Sequence, residues 1–368
     1  MSPGGKTKNQ LPAIMKPKHI FILILLFLSG CITDEKVTTY FHPDGTLTRI
    51  VTFKTNRKKL DPEQLAIPVD SSWTLTVRKD TADTAQFLVR AEKTFGRVQW
   101  LNNDYKIKPN ALSGVKREIS FERKFMWFYT FYYYQETVSK VFDQHPLSEF
   151  LTDEEIGYMK AVDPKKKEMM AGLDSLARER YDDRVNKKYM QWLAACMFDE
   201  LFAGLTKIAQ NHPAGAFTVK NLTSGKDSLK AKYTGMIVNK KNDKVFSQYF
   251  SGRYGVASDS LMNRYPAYLK RYVELQNIFS SAFFAEYENR VQLPGRLYDS
   301  NADTVENDLC SWQVRPARYL GDDLDMFAAA REANLWAWAV GLVILVLTLA
   351  VWLVPKKKGE VREEKDGK

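Results

Sequence analysis

The chain has 368 residues, 45% of them hydrophobic, which is enough to form one or two domains with a substantial core. Its net charge is +10, but the terminal segments 1–31 and 355–368 carry ten of the 54 basic side chains and only four of the 44 acidic ones. The excess positive charge is therefore a targeting and topology signal. Because little excess positive charge remains between these segments, the chain lacks the charge pattern of a broad polyanion-binding face, and we expect no nucleic-acid partner.

The N-terminal segment has the features of an export signal. Nine apolar residues, Ile20 to Leu28, follow a lysine-containing stretch and are too few to cross a bilayer. The next residues complete the motif Leu28-Ser29-Gly30-Cys31, which resembles the lipobox of bacterial lipoproteins. The resemblance implies that residues 1–30 are a signal peptide and that Cys31 is acylated at the start of the mature chain. Translation starts at either Met1 or Met15.

Residues 32–134 are predicted to be β-rich. Val37 to Phe41 and Thr46 to Lys54 flank Pro43-Asp44-Gly45, the pattern of a β-hairpin with an Asp-Gly turn. A second strand pair is predicted at Trp73 to Lys79 and Gln86 to Phe95.

The aromatic run Phe125 to Tyr134 is predicted to be one strand that is apolar on both faces. We favour a covered central strand, and the alternative is a surface that contacts lipid or a partner. The candidate residues of that surface are Arg123, Lys124, Trp127, Tyr129, Phe131 and Tyr133, because the two cations suit headgroup phosphates and the rings suit an apolar partner.

Residues 135–215 are predicted to be a helical insertion, with Thr152 and Glu155 forming a capping box. Apolar residues recur at helical spacing from Val185 to Ile208, among them Trp192 and Cys196, and predict the apolar stripe of one long helix. Residues 216–334 are predicted to be β-rich with one helix, including strands at Lys232 to Val238, Val245 to Phe250 and Leu309 to Val314. The stretch Gly321 to Asn334 fits either a strand or a helix. This order of elements predicts an α+β fold.

Residues Leu335 to Val354 carry no formal charge and are long enough to cross a bilayer as a helix. Tryptophans lie near both ends and a basic tail, residues 355–368, follows. By the positive-inside rule this tail is cytoplasmic. The expected location is therefore the cytoplasmic (inner) membrane, with the main domain on the extracytoplasmic, periplasmic side, held by the transmembrane helix and the lipid on Cys31.

The layout also resembles the LppM-type envelope lipoproteins. The lipobox, the early Pro-Asp-Gly turn, Leu293-Pro294-Gly295, Trp312 and the C-terminal span carry this likeness, whereas the helical insertion departs from it. The resemblance implies a β-rich envelope domain that contacts lipid, and it implies no catalytic residue.

The sequence predicts no catalytic, cofactor-binding or metal-binding residue. The four histidines are scattered without a zinc-binding spacing, and neither a phosphate loop nor a Gly-x-Ser-x-Gly motif occurs. We therefore expect a binding or assembly protein with an envelope protein or lipid partner, and the alternative is a membrane-tethered hydrolase whose residues meet only in the fold. Whether Cys196 and Cys310 form a disulfide stays open at this point.

Overall fold

A computed structural model describes residues 33–56, 64–81, 85–239, 244–282 and 285–353. These ranges form two β-sheets, a helical insertion and one long apolar C-terminal helix, which confirms the predicted α+β class. The predicted signal peptide, Cys31 and the basic tail lie outside the described residues.

The strands are β1 (Thr33–Phe41), β2 (Leu47–Thr55), β3 (Thr74–Lys79), β4 (Phe87–Phe95), β5 (Arg117–Met126), β6 (Tyr129–Val138), β7 (Tyr287–Gln292), β8 (Arg296–Ser300), β9 (Thr304–Glu306), β10 (Leu309–Val314) and β11 (Leu324–Ala333). The helices are α1 (Val98–Ile107), α2 (Asp153–Lys160), α3 (Asp163–Met169), α4 (Ser175–Asn211), α5 (Val219–Ser224), α6 (Lys226–Val238), α7 (Lys244–Tyr254), α8 (Ser258–Arg264), α9 (Lys270–Ala282), α10 (Pro316–Tyr319) and α11 (Leu335–Leu353).

A seven-stranded sheet has the order β3-β4-β2-β1-β7-β10-β9, and a four-stranded sheet has the order β5-β6-β11-β8. The predicted hairpins β1–β2 and β3–β4 are both present in the larger sheet. The first turns at Asp44, whose Oδ1 accepts the Thr46 N–H at 2.9 Å, and at Gly45, which has a φ of +89°. Glycine suits that backbone conformation because it has no Cβ to clash.

The two sheets pack against each other through aromatic side chains. Phe41 of β1 stacks on Phe121 of β5 with ring centroids 4.4 Å apart, and Tyr134 of β6 lies 5.7 Å from Phe41 and 5.9 Å from Trp312 of β10. Such pairs exclude water and fix the distance between the sheets. One side of the four-stranded sheet therefore belongs to the core.

The helices α2 to α9 are inserted between β6 and β7. The capping box of Thr152 and Glu155 is confirmed, as is the apolar stripe of α4, which buries Val185, Trp192 and Cys196 among others. These side chains and those of the sheets belong to one continuous buried cluster. The insertion is therefore packed into the same core as the β scaffold.

The strands predicted at Lys232 to Val238 and Val245 to Phe250 are wrong, because these segments belong to α6 and α7. Leu229 and Tyr233, one helical turn apart, are fully buried, and Tyr233 packs on Phe198 of α4 with centroids 5.8 Å apart. Helical spacing lets both side chains reach that neighbour, which outweighs the β propensity of the segment. Residues 216–334 thus begin with five helices of the described chain and become β-rich only from β7 onward.

The open choice for Gly321 to Asn334 is settled by β11, which pairs with β6 along its whole length and with β8 on its other side. Leu309 to Val314 forms β10, as predicted. The helix α11 begins at Leu335, directly after β11 and Asn334.

Candidate functional site

The prediction that Phe125 to Tyr134 forms one strand is wrong. The segment is a hairpin in which β5 ends at Met126, Trp127 and Phe128 form the turn, and β6 begins at Tyr129. Trp127 has a φ of +42°, a conformation that costs a bulky residue about 1–3 kcal/mol. The turn contains no glycine, asparagine or aspartate, so the usual sequence signal of a two-residue turn is missing.

The two faces of β6 differ in burial. Tyr132 and Tyr134 are 1% exposed and face the core. Tyr129, Phe131 and Tyr133 point to the opposite face of the sheet, where they are only half-buried. The strand is central in its sheet, yet one of its faces is open.

This open face carries a continuous aromatic stripe, defined here as Tyr129, Phe131, Tyr133 and Tyr298. Phe131 lies 6.3 Å from Tyr129, 6.5 Å from Tyr133 and 5.9 Å from Tyr298, measured between ring centroids. Lys124 Nζ lies 5.3 Å from the Tyr133 ring centroid, a cation–π distance. The stripe is an apolar surface edged by positive charge.

The structure separates the two predicted cations. Arg123 pairs in register with Tyr132, whereas Lys124 pairs with Phe131, so the two side chains leave opposite faces of the sheet. Both are exposed. Only Lys124 lies on the face of the aromatic stripe.

Two further arginines share that face and were missed from the sequence. Phe131 is opposite Arg331 of β11, which is opposite Arg296 of β8, and directly opposed residues project to the same side. We call Lys124, Arg331 and Arg296 the basic row. The residues are far apart in the chain, and only the strand register brings them into line.

The tip of the β5–β6 hairpin lies against the start of α11. Phe125 stacks on Trp336 with centroids 6.1 Å apart, Trp127 lies 5.5 Å from Trp336, and Phe128 lies 4.6 Å from Trp338. A Cβ added at Gly341 would be 3.1 Å from the Phe128 ring, so this glycine provides the space that the ring occupies. The aromatic tip and the helix thus form one apolar unit.

Asn334 makes this junction rigid. Its Nδ2 donates to the Trp127 carbonyl at 2.7 Å, its Oδ1 accepts from the Thr130 hydroxyl at 2.9 Å, and its N–H donates to the Phe128 carbonyl at 2.8 Å. Its own carbonyl accepts the Ala337 N–H at 2.9 Å, in the first turn of α11. No linker separates the sheet from the helix.

The helix α11 is long and apolar enough to cross a membrane, and Ala337 is its only residue that the described part of the chain buries. Exposed apolar surface of this extent is rare on a soluble monomer and indicates contact with lipid. The structure therefore supports membrane association at this end of the four-stranded sheet.

A separate group of charged residues lies inside the domain. The guanidinium of Arg117, a residue 5% exposed, is 3.5 Å from Glu136 Oε1, and Arg49 is fully buried. Nearby, burial raises the pKa of Glu35 from 4.5 to about 7, and the Ala66 N–H, Arg117 and Arg49 only partly oppose this effect. These buried groups have no access to a partner of the domain, so we assign them to the interior.

The histidines of the described chain have structural partners. His145 lies with Nδ1 2.9 Å from Glu149 and Nε2 2.8 Å from Asp199, and His212 stacks on Tyr265 at 4.5 Å. In an open groove of about 550 Å³, His42 Nε2 is 3.1 Å from Thr48 Oγ1 across the first hairpin. This contact joins the two sides of the turn.

Within the described ranges, no three histidine, cysteine or carboxylate side chains converge as metal ligands would. Cys196 and Cys310 are both buried free thiols, which answers the open question of a disulfide. Burial raises the pKa of Cys196 to about 12, so its thiol is protonated and unreactive at neutral pH.

No family model matches the chain, and no curated protein matches it in sequence. Among solved structures, the NMR structure of the folded domain of Mycobacterium tuberculosis LppM matches 83% of this chain and 93% of that chain. The sequence identity is 10% and the TM-score is 0.26. The match is to the family that the sequence motifs resemble, but at this TM-score it carries no argument about fold or function.

Proposed function

We propose that the protein is a membrane-anchored lipoprotein of the bacterial envelope that binds or assembles a partner at the membrane surface. The observation that carries this proposal is the rigid junction at Asn334, which joins the four-stranded sheet to an apolar helix without a linker. A domain joined in this way has a fixed orientation, and its aromatic stripe stands directly above the membrane.

Two anchors hold the domain in this proposal. Cys31 carries the lipid, α11 crosses the cytoplasmic membrane, and residues 355–368 lie in the cytoplasm. Protease added to the extracytoplasmic side should digest the domain and spare a tag placed after Lys368. A digested tag with a protected domain would reverse the orientation.

The aromatic stripe is the proposed binding surface, and an envelope protein or a lipid is the proposed partner. Large rings with limited conformational freedom are favoured at binding surfaces because they lose little entropy on contact. The hydrolase alternative has its nearest support in the His42–Thr48 contact, but the Thr48 hydroxyl also lies 3.2 Å from the Thr94 hydroxyl and is therefore engaged on both sides, unlike an activated nucleophile. We therefore propose binding and not catalysis.

Photo-crosslinking in native membranes tests the binding surface. A photoreactive amino acid at Tyr133 should give discrete adducts with one partner. The matched control is Val77, which is 52% exposed on a strand of the other sheet. Equal yields at both positions, or none at Tyr133, would show that the stripe is not the binding surface.

A further inference from the structure

We infer that the membrane end of the four-stranded sheet is an anchor for anionic phospholipid. The hairpin tip, Phe125 to Phe128, enters the boundary of the acyl chains, and the basic row of Lys124, Arg331 and Arg296 contacts the phosphates. This inference rests on the proposed function, because it takes α11 to lie in the membrane.

The depth of the tip follows from its contact with α11. Phe128 packs at Gly341, six residues after the helix begins, which at 1.5 Å per residue is about 9 Å along the helix axis. Trp336 and Trp338, which touch the tip, are residue types that settle at the membrane interface. If α11 spans the membrane from its first turn, the tip is within the interface.

The tip has the surface that such a position requires. Phe125, Met126, Trp127 and Phe128 are 52%, 62%, 48% and 37% exposed, and α11 covers only part of them. The positive φ of Trp127 is a conformation in which glycine would fit without strain. The tryptophan at this position keeps about half of its surface exposed in addition to its contact with Trp336, and that surface is free to contact lipid.

The basic row has an unusual charge arrangement. Arg331 lies directly opposite Arg296 on the neighbouring strand, and like charges in such a pair repel. Both arginines are exposed. Among the described residues, no carboxylate oxygen lies within 4.0 Å of either guanidinium, the distance of an ion pair. Lys124, at the other end of the row, pairs with Glu122 at 3.2 Å. An external anion would relieve the repulsion between the two arginines.

The height of the row matches a phosphate layer. Lys124 precedes the last residue of β5 by two positions, which places it about 7 Å above the tip at 3.4 Å per residue. The interfacial layer outside the hydrocarbon core is about 5–8 Å thick on each side of a bilayer. Rings at the acyl boundary thus put the three cations at the level of the headgroups. The anion that contacts the basic row is a lipid phosphate, because the row and the embedded helix belong to one rigid unit.

Full-length protein in phosphatidylcholine vesicles tests the tip. An environment-sensitive fluorescent amino acid replaces Met126, Leu345 or Val77, and quenchers attached to the lipid acyl chains are compared with aqueous iodide. We expect lipid quenching at Met126 several-fold above that at Val77. A Met126 reporter that behaves like Val77, while Leu345 is lipid-quenched, overturns this inference and leaves the proposed function intact. A Leu345 reporter exposed to iodide overturns both.

Gly341→Leu displaces Phe128 and should lower lipid quenching at Met126, whereas Ala350→Leu, which introduces the same side chain further along α11, should not. Equal quenching in the two variants would show that the Phe128–Gly341 contact does not set the depth.

The basic row is tested with vesicles that contain increasing phosphatidylglycerol. The double variant Arg296→Gln/Arg331→Gln should lose the further burial of the Met126 reporter that anionic lipid induces. Arg78→Gln/Arg90→Gln, which removes two exposed charges from the other sheet, should retain it. The same response in both double variants, or no response of the unmodified protein to phosphatidylglycerol, overturns the phosphate assignment.

Discussion

Two of the regions rich in aromatic side chains are the interior of the helical insertion and the end of the four-stranded sheet beside α11. In the insertion, Trp192 and Tyr233 are fully buried against other rings. At the sheet end, Phe125 is 52% and Trp127 is 48% exposed, although both touch Trp336. Protein covers the first group, whereas the second keeps a large exposed apolar surface.

The comparison shows that residue type alone does not decide the role of an aromatic residue. Loss of a ring in the insertion removes packing that the fold needs, because the interior is close-packed. Loss of a ring at the tip removes contact with whatever lies outside the domain. The two regions should therefore respond differently to the same kind of substitution.

The largest effect is expected for Trp192→Ala. Its ring packs on Phe142 and Tyr189, with centroids 5.6 and 5.3 Å away, and its Nε1 donates to the His145 carbonyl at 2.8 Å. Truncation of a fully buried tryptophan typically costs about 3–5 kcal/mol of unfolding free energy. Chemical denaturation of the full chain in detergent measures it. Leu176→Ala, at a 53% exposed position of the same helix, is the control and should change little. A small loss for Trp192→Ala would mean that this core is not close-packed.

Sequence reasoning succeeded where the signal is local. The Asp44-Gly45 turn and the stripe of α4 are encoded by residues within a few positions of one another, and the apolar run of α11 is equally local. It failed for Lys232 to Val238, because the packing of Tyr233 on α4 decides the helix. Such a contact is not visible in the segment itself.

The candidate site could be predicted only in part. The aromatic residues and Lys124 were identified, but their division between two faces depends on the turn at Trp127, which lacks the usual turn residues. Arg296 and Arg331 could not be assigned to the site because the register of β8 and β11 brings them to it. The role of Gly341 in the site could not be predicted either, because it depends on the Phe128 ring that packs beside it.

The second prediction concerns Glu35 of β1, which is buried in the core of the sheets and lies outside the helical insertion. Glu35 ionises near 4.5 when unfolded and near 7 when folded, because burial penalises its charged form. Between these pH values the folded state retains a proton that the unfolded state has lost, so stability falls as pH rises from about 4.5 to about 7, by about 3 kcal/mol at most.

Glu35→Gln should flatten this part of the profile of unfolding free energy against pH, since Gln keeps an acceptor for the Ala66 N–H. Glu118→Gln, at an exposed position, is the control and should keep the wild-type slope. An unchanged slope in Glu35→Gln would show that Glu35 is ionised in the folded protein at pH 5.

The third prediction tests the junction at Asn334 between the four-stranded sheet and α11. Asn334→Ala removes two side-chain hydrogen bonds, to the Trp127 carbonyl and from the Thr130 hydroxyl, and should weaken the junction by about 1–2 kcal/mol. Hydrogen exchange in nanodiscs should become faster at the amides of the tip. The control is Thr137→Ala, which removes the hydrogen bond from the Thr137 hydroxyl to Asp325 at the end of β6 far from the tip. It should leave exchange at the tip unchanged. Equal exchange in both variants would mean that the aromatic contacts alone hold the tip.

The smallest effect on stability is expected for Trp127→Gly, and its sign is opposite to that of Trp192→Ala. Glycine adopts the φ of +42° without a Cβ clash, and relief of this strain should offset both the lost contact with Trp336 and the entropy that glycine adds to the unfolded chain. The folded domain should therefore keep its stability or gain up to about 1 kcal/mol. Contact with lipid should fall, because the substitution removes the exposed indole ring of Trp127. Chemical denaturation and lipid quenching of a reporter at Met126 measure the two effects on one variant. Trp100→Gly, at a 58% exposed position in the first turn of α1, removes a tryptophan of similar exposure and should lower stability without changing the reporter. If Trp127→Gly lowered stability and left lipid contact unchanged, the Trp127 ring would serve the fold, and the two aromatic regions would differ only in exposure.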